Sequence, residues 1–143
     1  AGFLAFLDAE RAATISPNLR FTDDLLDLCA SCDYITIHVP ATPKTKGMIG
    51  ADEIAAMKEG AAFLNFSRDT LVDNDAMRAG LTSGKIRRYV TDFATPEVMT
   101  MEGALVLPHL GASTAEAEEN CAEMAVREVM DYLETGKKVH CVN

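Results

Sequence analysis

The sequence predicts an α/β fold built on a parallel sheet. Three observations predict it. Short apolar, β-branched runs recur along the chain and are stopped by proline, glycine or a charge. Stretches with helical apolar spacing lie between those runs. The alternation continues throughout, without internal repeats, low-complexity tracts or long linkers. Strands that alternate with amphipathic helices form parallel sheets, because each crossover needs a helix to return the chain.

In order, Gly2–Leu7 is an apolar run ending at Asp8. Thr22–Ala30 has helical spacing (Leu25, Leu26, Leu28, Cys29) after a Thr-Asp-Asp start that suits a helix N-terminus. "YITIHVP", Tyr34 to Pro40, is a strand stopped by proline. Ala51–Lys58 is a short helix, and Gly60 separates it from the strand Ala61–Phe66. Asp73–Thr82 is a helix closing near Gly84, followed by the strands Ile86–Phe93 and Ala104–Leu107. The last element, Thr114–Glu134, is a long helix striped by Ala117, Cys121, Met124, Ala125, Val129, Tyr132 and Leu133. Ser113 and Glu116 read as a capping box at its start.

The chain has 143 residues, is 48% hydrophobic, and carries 13 Lys+Arg against 22 Asp+Glu, a formal net charge of -9. That is material for one domain, residues 1–143. An acidic field repels a phosphate backbone, so nucleic acid is a poor partner. No apolar run approaches the ~20 residues of a membrane span, and "AGFLAFL" lacks the basic start of a signal peptide. Of the four cysteines, only Cys29 and Cys32 have metal-like spacing, and no second pair completes a site, so no metal is expected. Reduced thiols in a cytoplasmic protein are the simpler reading. A hydrolase elbow through Gly111-Ala112-Ser113-Thr114 fails, because Ala115 replaces the last glycine and only His140 follows.

In an open parallel sheet, ligands bind beyond the carboxyl ends of the strands. Every predicted strand here ends in polar residues: Asp8, His38, Ser67-Arg68-Asp69, Asp92 and His109. Any one of them alone would pass as a cap or a solvated charge.

"CDYITIHVPATPKTKGMIG", "FLNFSRDTLVD", "YVTDF" with a later Glu, and "LPHLGASTAEAEEN" together resemble the NAD-dependent D-2-hydroxyacid dehydrogenases. Within that family they are most similar to the phosphoglycerate dehydrogenase branch. The resemblance covers essentially the whole chain. It implies a Rossmann-type doubly wound sheet, NAD as cofactor, and oxidation of D-3-phosphoglycerate to 3-phosphohydroxypyruvate in serine synthesis. Another 2-keto acid, such as glyoxylate or hydroxypyruvate, is the alternative substrate, and a cofactor-domain fragment that catalyses nothing alone is the alternative of another class. A homo-oligomer is also implied for the complete enzyme.

The family's catalytic set falls on Arg68, Glu97 and His109. Histidine suits the proton released when an alcohol loses hydride, because its ordinary pKa is about 6.5. A carboxylate on the other ring nitrogen stabilises imidazolium, and Glu97 is expected to supply it. Arg68 offers a planar charged fork for the substrate's carboxylate. The resemblance also gives the cofactor contacts. Asp8 holds the adenine ribose hydroxyls and so favours NAD over NADP. Val39 and Pro40 line the adenine side, Phe66, Ser67 and Arg68 lie under the nicotinamide half, and Asp92 faces its carboxamide. His109, Leu110, Gly111 and Ala112 follow the last strand, with Gly111 allowing close backbone approach.

Four departures stand out. Asp69 replaces the glycine common after the arginine, Val98 replaces the commoner proline after Glu97, and the connection from Glu97 to His109 is short. Glu102 competes with Glu97 for the acid's role. No G-x-G-x-x-G occurs, and Asp8 stands too near the start to follow one by about 20 residues. The first strand and its phosphate-cradling loop are therefore expected to precede this chain, leaving the sheet incomplete. With strand order 3-2-1-4-5-6, Gly2–Leu7 and Tyr34–Val39 would form one pair, separated by a gap from Ala61–Phe66 and the strands beyond it.

Overall fold

The computed structural model describes residues 20–111 and 113–138. The readings made on Gly2–Leu7, Asp8, Ala112, His140 and Cys141 lie outside the described residues. The chain divides after Leu107 into two compact units.

The first unit is a parallel sheet with helices against it. Helix α1 (Leu25–Ser31) starts at Asp24, whose carboxylate accepts from the Leu26 N–H at 2.9 Å. Strand β1 (Tyr34–Ile37) follows, then α2 (Ala51–Ala56), whose Glu53 carboxylate accepts from the Gly50 N–H at 3.0 Å. After β2 (Ala61–Asn65) comes a single 3-10 turn, Asp69–Leu71, and then α3 (Asn74–Ser83), capped by Asp73. Gly84 closes α3 in the left-handed region, at φ 81°, where a Cβ would be strained. Strand β3 (Ile86–Thr91) leads into the four-residue helix α4 (Pro96–Met99), and β4 (Ala104–Val106) ends the unit.

The sheet order is β1-β2-β3-β4, with every pair parallel. This corrects the expected arrangement. The strand at Tyr34 pairs directly with the strand at Ala61, with no gap between them: Tyr34 stands opposite Ala62, and Ile37 opposite Asn65. The error lay in placing a gap between Tyr34–Val39 and Ala61–Phe66; the pairing expected with Gly2–Leu7 lies outside the described residues. Strands that follow one another in sequence are more often neighbours in space, and each of these four lies beside the next.

Register explains which face is buried. Ile35, Phe63, Tyr89 and Ala104 share one row, and Ile37, Asn65, Thr91 and Val106 share the next. These rows meet Ile54 and Met57 from α2 and its C-cap, and Met77 from α3, in a single core. Phe63 and Tyr89 lie with ring centroids 6.1 Å apart at its centre. Each large apolar side chain buried this way contributes ~1.5–3 kcal/mol. On the other face Tyr34, Thr36 and Leu105 are exposed and Leu64 and Val90 are half-buried. Helix Gly80 packs between Ile54 and Ile86, with no room for a larger residue.

The second unit contains α5 (Ala115–Thr135), closed by Gly136. Its N-cap is Thr114, whose hydroxyl accepts from the Ala117 N–H at 3.1 Å. The start expected at Ser113 is therefore displaced by one residue. The helix buries none of its residues, and Met124, Val129, Tyr132 and Leu133 of the expected stripe are exposed. No helix among the described residues is long and apolar enough to cross a membrane.

Candidate functional site at the carboxyl ends of the strands

Three strand ends of the first unit lie side by side because the strands run in order. β1 runs out into His38, Val39 and Pro40; β2 into Phe66, Ser67 and Arg68; β3 into Asp92 and Phe93. Hydrogen bonds tie the first two together. The Ser67 hydroxyl donates to the Val39 carbonyl at 2.6 Å. Val39 is half-buried, while Pro40 and Phe66 are exposed.

A buried asparagine builds the turn that carries Arg68. Asn65, fully buried, donates from Nδ2 to the Arg68 carbonyl at 2.8 Å and accepts the Ser67 N–H on Oδ1 at 3.1 Å. The Arg68 guanidinium is exposed and donates to the Ser67 carbonyl at 2.6 Å. Tyr89, also fully buried, has the side chains of Asn65 and Thr91 as polar neighbours. Burial pushes the Tyr89 pKa up, the polar side chains of Asn65 and Thr91 oppose the rise, and the charge of Asp69 adds to it. Thr91 Oγ1 also accepts from the Phe93 N–H at 3.2 Å, so the same buried group shapes the end of β3. Asp92 is half-buried there.

Asn65, Tyr89 and Thr91 were not among the residues expected at the site. The signal was present: an asparagine inside the apolar run "AAFLNF" and a threonine inside "IRRYVTDF" are polar groups that burial obliges to find partners.

Asp69, which departs from the family pattern, has a local task. Its carboxylate accepts from the Thr70 N–H at 2.8 Å and opens the 3-10 turn. The segment after it is clipped to the preceding loop, where the Gly47 N–H donates to the Thr70 carbonyl at 2.8 Å and Ile49 bridges to Val72. These two segments and Glu97 line an open cleft of about 410 Å³, together with Lys46, Asp73, Asn74 and Asp75.

Glu97 is exposed on α4, after the Thr95 cap and Pro96. Glu102 lies elsewhere. It lines a separate hollow with Arg87 and Arg88, at the amino end of β3 and ahead of β4. The two glutamates that sequence spacing left in competition thus stand at opposite ends of the sheet, with Glu97 beside the turn that follows β2.

His109, Leu110 and Gly111 belong to the second unit. His109 and Leu110 are exposed, and the Leu110 N–H donates to the Pro108 carbonyl at 2.9 Å. The structure therefore gathers Val39, Pro40, Phe66, Ser67, Arg68, Asp92 and Glu97 in one unit and describes His109 in the other. Among the described residues no cluster of His, Cys, Asp and Glu could hold a metal ion.

The family described as "D-isomer specific 2-hydroxyacid dehydrogenase, NAD binding domain" matches residues 6–111. D-3-phosphoglycerate dehydrogenase of Methanocaldococcus jannaschii is 36% identical over 124 residues, covering 82% of this chain and 24% of that protein. Glyoxylate/hydroxypyruvate reductase B of Cronobacter sakazakii is 35% identical over 133 residues, covering 88% of this chain and 41% of the reductase. Among solved structures, a D-lactate dehydrogenase from Sporolactobacillus sp. superimposes with a TM-score of 0.71 at 29% identity, over 83% of this chain and 42% of that one. The chain thus spans well under half the length of each of these relatives.

Proposed function

Because this chain belongs to the D-isomer specific 2-hydroxyacid dehydrogenases through their NAD-binding domain, we propose that it is the cofactor-binding part of an NAD-dependent enzyme that oxidises D-3-phosphoglycerate to 3-phosphohydroxypyruvate, the entry into serine synthesis. The observation that carries this reading is the Arg68 turn. A buried asparagine holds an exposed guanidinium at the carboxyl edge of a parallel sheet, where such sheets bind their ligands.

The residues present suit the cofactor. Pro40 and Phe66 offer exposed apolar surface for flat rings, and Ser67 locks their two strand ends together. When bound, NAD supplies the ring that accepts a hydride. Asp8 would hold its ribose hydroxyls and Asp92 its carboxamide. Arg68 binds and orients the acid substrate through its carboxylate, which sets the stereochemistry of the carbon that reacts. His109 takes the hydroxyl proton at a ring nitrogen, and the Glu97 carboxylate supports the imidazolium that results. The position of Glu97, beside the turn after β2 rather than at the amino end with Glu102, favours it for that role.

In the complete enzyme, His109→Asn should lower turnover at least ~100-fold with NAD affinity little changed. Near-normal turnover would remove His109 from the mechanism. A second reading, reduction of another 2-keto acid, rests on the 35% identity to the Cronobacter reductase. Comparing kcat/KM for 3-phosphoglycerate oxidation with that for glyoxylate reduction, by absorbance of the reduced nicotinamide, decides between them.

A further inference from the structure

Helix α4 is a single turn, too short to sustain itself, because nucleation is unfavourable and one turn adds almost no propagation. Its last carbonyls have no partner within the helix. From inside, Val98 and Met101 anchor it to the core, both nearly fully buried. From outside, its C-terminal end is held by an arginine of another helix. Arg78, half-buried on α3, donates from Nη2 to the Glu97 carbonyl at 2.9 Å and to the Thr100 hydroxyl at 3.2 Å, and from Nη1 to the Thr100 carbonyl at 3.4 Å. The Thr100 hydroxyl in turn donates to the Glu97 carbonyl at 2.9 Å.

A guanidinium suits this task. Its planar fork reaches two carbonyls and a hydroxyl at once, which a lysine ammonium on a flexible stem does not reproduce. A positive charge at a helix C-terminus is also favoured by the peptide dipoles. The residue whose carbonyl Arg78 grips, Glu97, is one of those lining the cleft with Asp69 and Thr70.

We propose that Arg78 is a positioning residue, which fixes the turn α4 and thereby the direction in which Glu97 presents its carboxylate. This rests on reading Glu97 as the acid that supports His109. Arg78 need touch neither substrate nor cofactor; it acts through the backbone of Glu97. The charged groups that share the cleft with Glu97 are Lys46, Asp69, Asp73 and Asp75, and all are left in place by a change at Arg78.

The test uses the complete enzyme, with kcat, KM for NAD and the acidic limb of the pH–rate profile as readouts. Glu97→Gln should move that limb to lower pH, because imidazolium loses its counter-charge. Arg78→Met should move it the same way by about half a pH unit and lower kcat about tenfold, with KM for NAD within about twofold of the parent. The double variant should add little to Glu97→Gln alone, since both changes remove one interaction. Arg78→Gln keeps an amide donor but loses the fork, and should show a smaller shift in the same direction. It also decides the question if circular dichroism shows Arg78→Met unfolded. A limb that moves in Glu97→Gln but stays at the parent position in the folded Arg78 variants overturns the proposal and leaves Glu97 standing. A limb unmoved by Glu97→Gln overturns the reading of Glu97, and the role of Arg78 falls with it.

Discussion

Asn65 is the residue whose loss the structure allows to be costed. Replacing it by alanine removes the donor to the Arg68 carbonyl at 2.8 Å and the acceptor of the Ser67 N–H at 3.1 Å. It also takes a polar neighbour away from the buried Tyr89. At about 1 kcal/mol for each turn bond, and ~1–3 kcal/mol for a buried polar group deprived of a partner, the expected loss is about 3–5 kcal/mol. That is a large part of the stability of a small domain. Urea unfolding of the complete enzyme measures it, and kinetics should show KM for the hydroxy acid rising more than KM for NAD, because Arg68 rides on the released turn.

Asn65→Asp makes the reasoning sharper. The new carboxyl can still accept from Ser67, but an ionised oxygen would face the Arg68 carbonyl in a buried place. Burial therefore holds the group protonated, with its folded pKa above the unfolded ~3.9. Stability gained from a raised pKa is present below the unfolded value and lost as pH rises through the folded one. The aspartate variant should be close to the parent near pH 4 and fall toward the alanine variant by pH 8. An alanine variant within about 0.5 kcal/mol of the parent, the range of ordinary surface changes, would refute the account. So would an aspartate variant whose stability relative to the parent does not change with pH.

Two further outcomes follow from packing and burial. Gly80→Ala gains about 1 kcal/mol in helix propensity, but its Cβ would lie 2.9 Å from Ile54 Cγ2 and 3.1 Å from Ile86 Cγ1. Overpacking of that kind costs ~1–3 kcal/mol, so the urea midpoint should drop, and a rise would show that α2 and β3 yield freely. Burial, then the charge of Glu53, then Cys32 push the Cys29 thiol pKa up. The unfolded thiol then loses its proton first, so stability should decline as pH rises from about 8.5 toward the folded value. Unfolding midpoints between pH 8 and pH 10 should fall less steeply in Cys29→Ala, and equal slopes would remove Cys29 as the cause.

The elements were legible where local chemistry decides them. "YITI", "AAFLN" and "IRRYVT" are β-branched or aromatic runs with clear stops, and each became a strand. Asp73 and Gly84 bracket α3 as start and stop signals do. Strand order was not legible, because nothing in "YITIHVP" says which neighbour it will meet; only pairing with Ala61–Asn65 revealed it. Helix α4 escaped notice because one turn has no period to detect. The site's residue types were visible at the strand ends, but its support was not. Asn65 fell within the expected strand Ala61–Phe66, and nothing local marked it as the frame of the turn that follows. Glu97 and Glu102 could not be told apart by spacing, since both lie in the one connection from β3 to β4. The stripe on α5 shows a period in sequence, yet a period does not name what covers it.

The order β1-β2-β3-β4 bears on how the protein is made. Among the described strands, each one after β1 pairs with the one synthesised just before it, and none of these pairings closes a loop much longer than about 30 residues. The ribosome delivers the chain from its N-terminal end at several residues per second, far slower than such loops close. The described sheet can therefore grow as a zipper, one strand at a time, each new strand docking on the edge its predecessor left open. The central pair, β2 with β3, is complete before β4 emerges, so the buried triad of Asn65, Tyr89 and Thr91 is assembled early, and the last strand docks on an edge already formed.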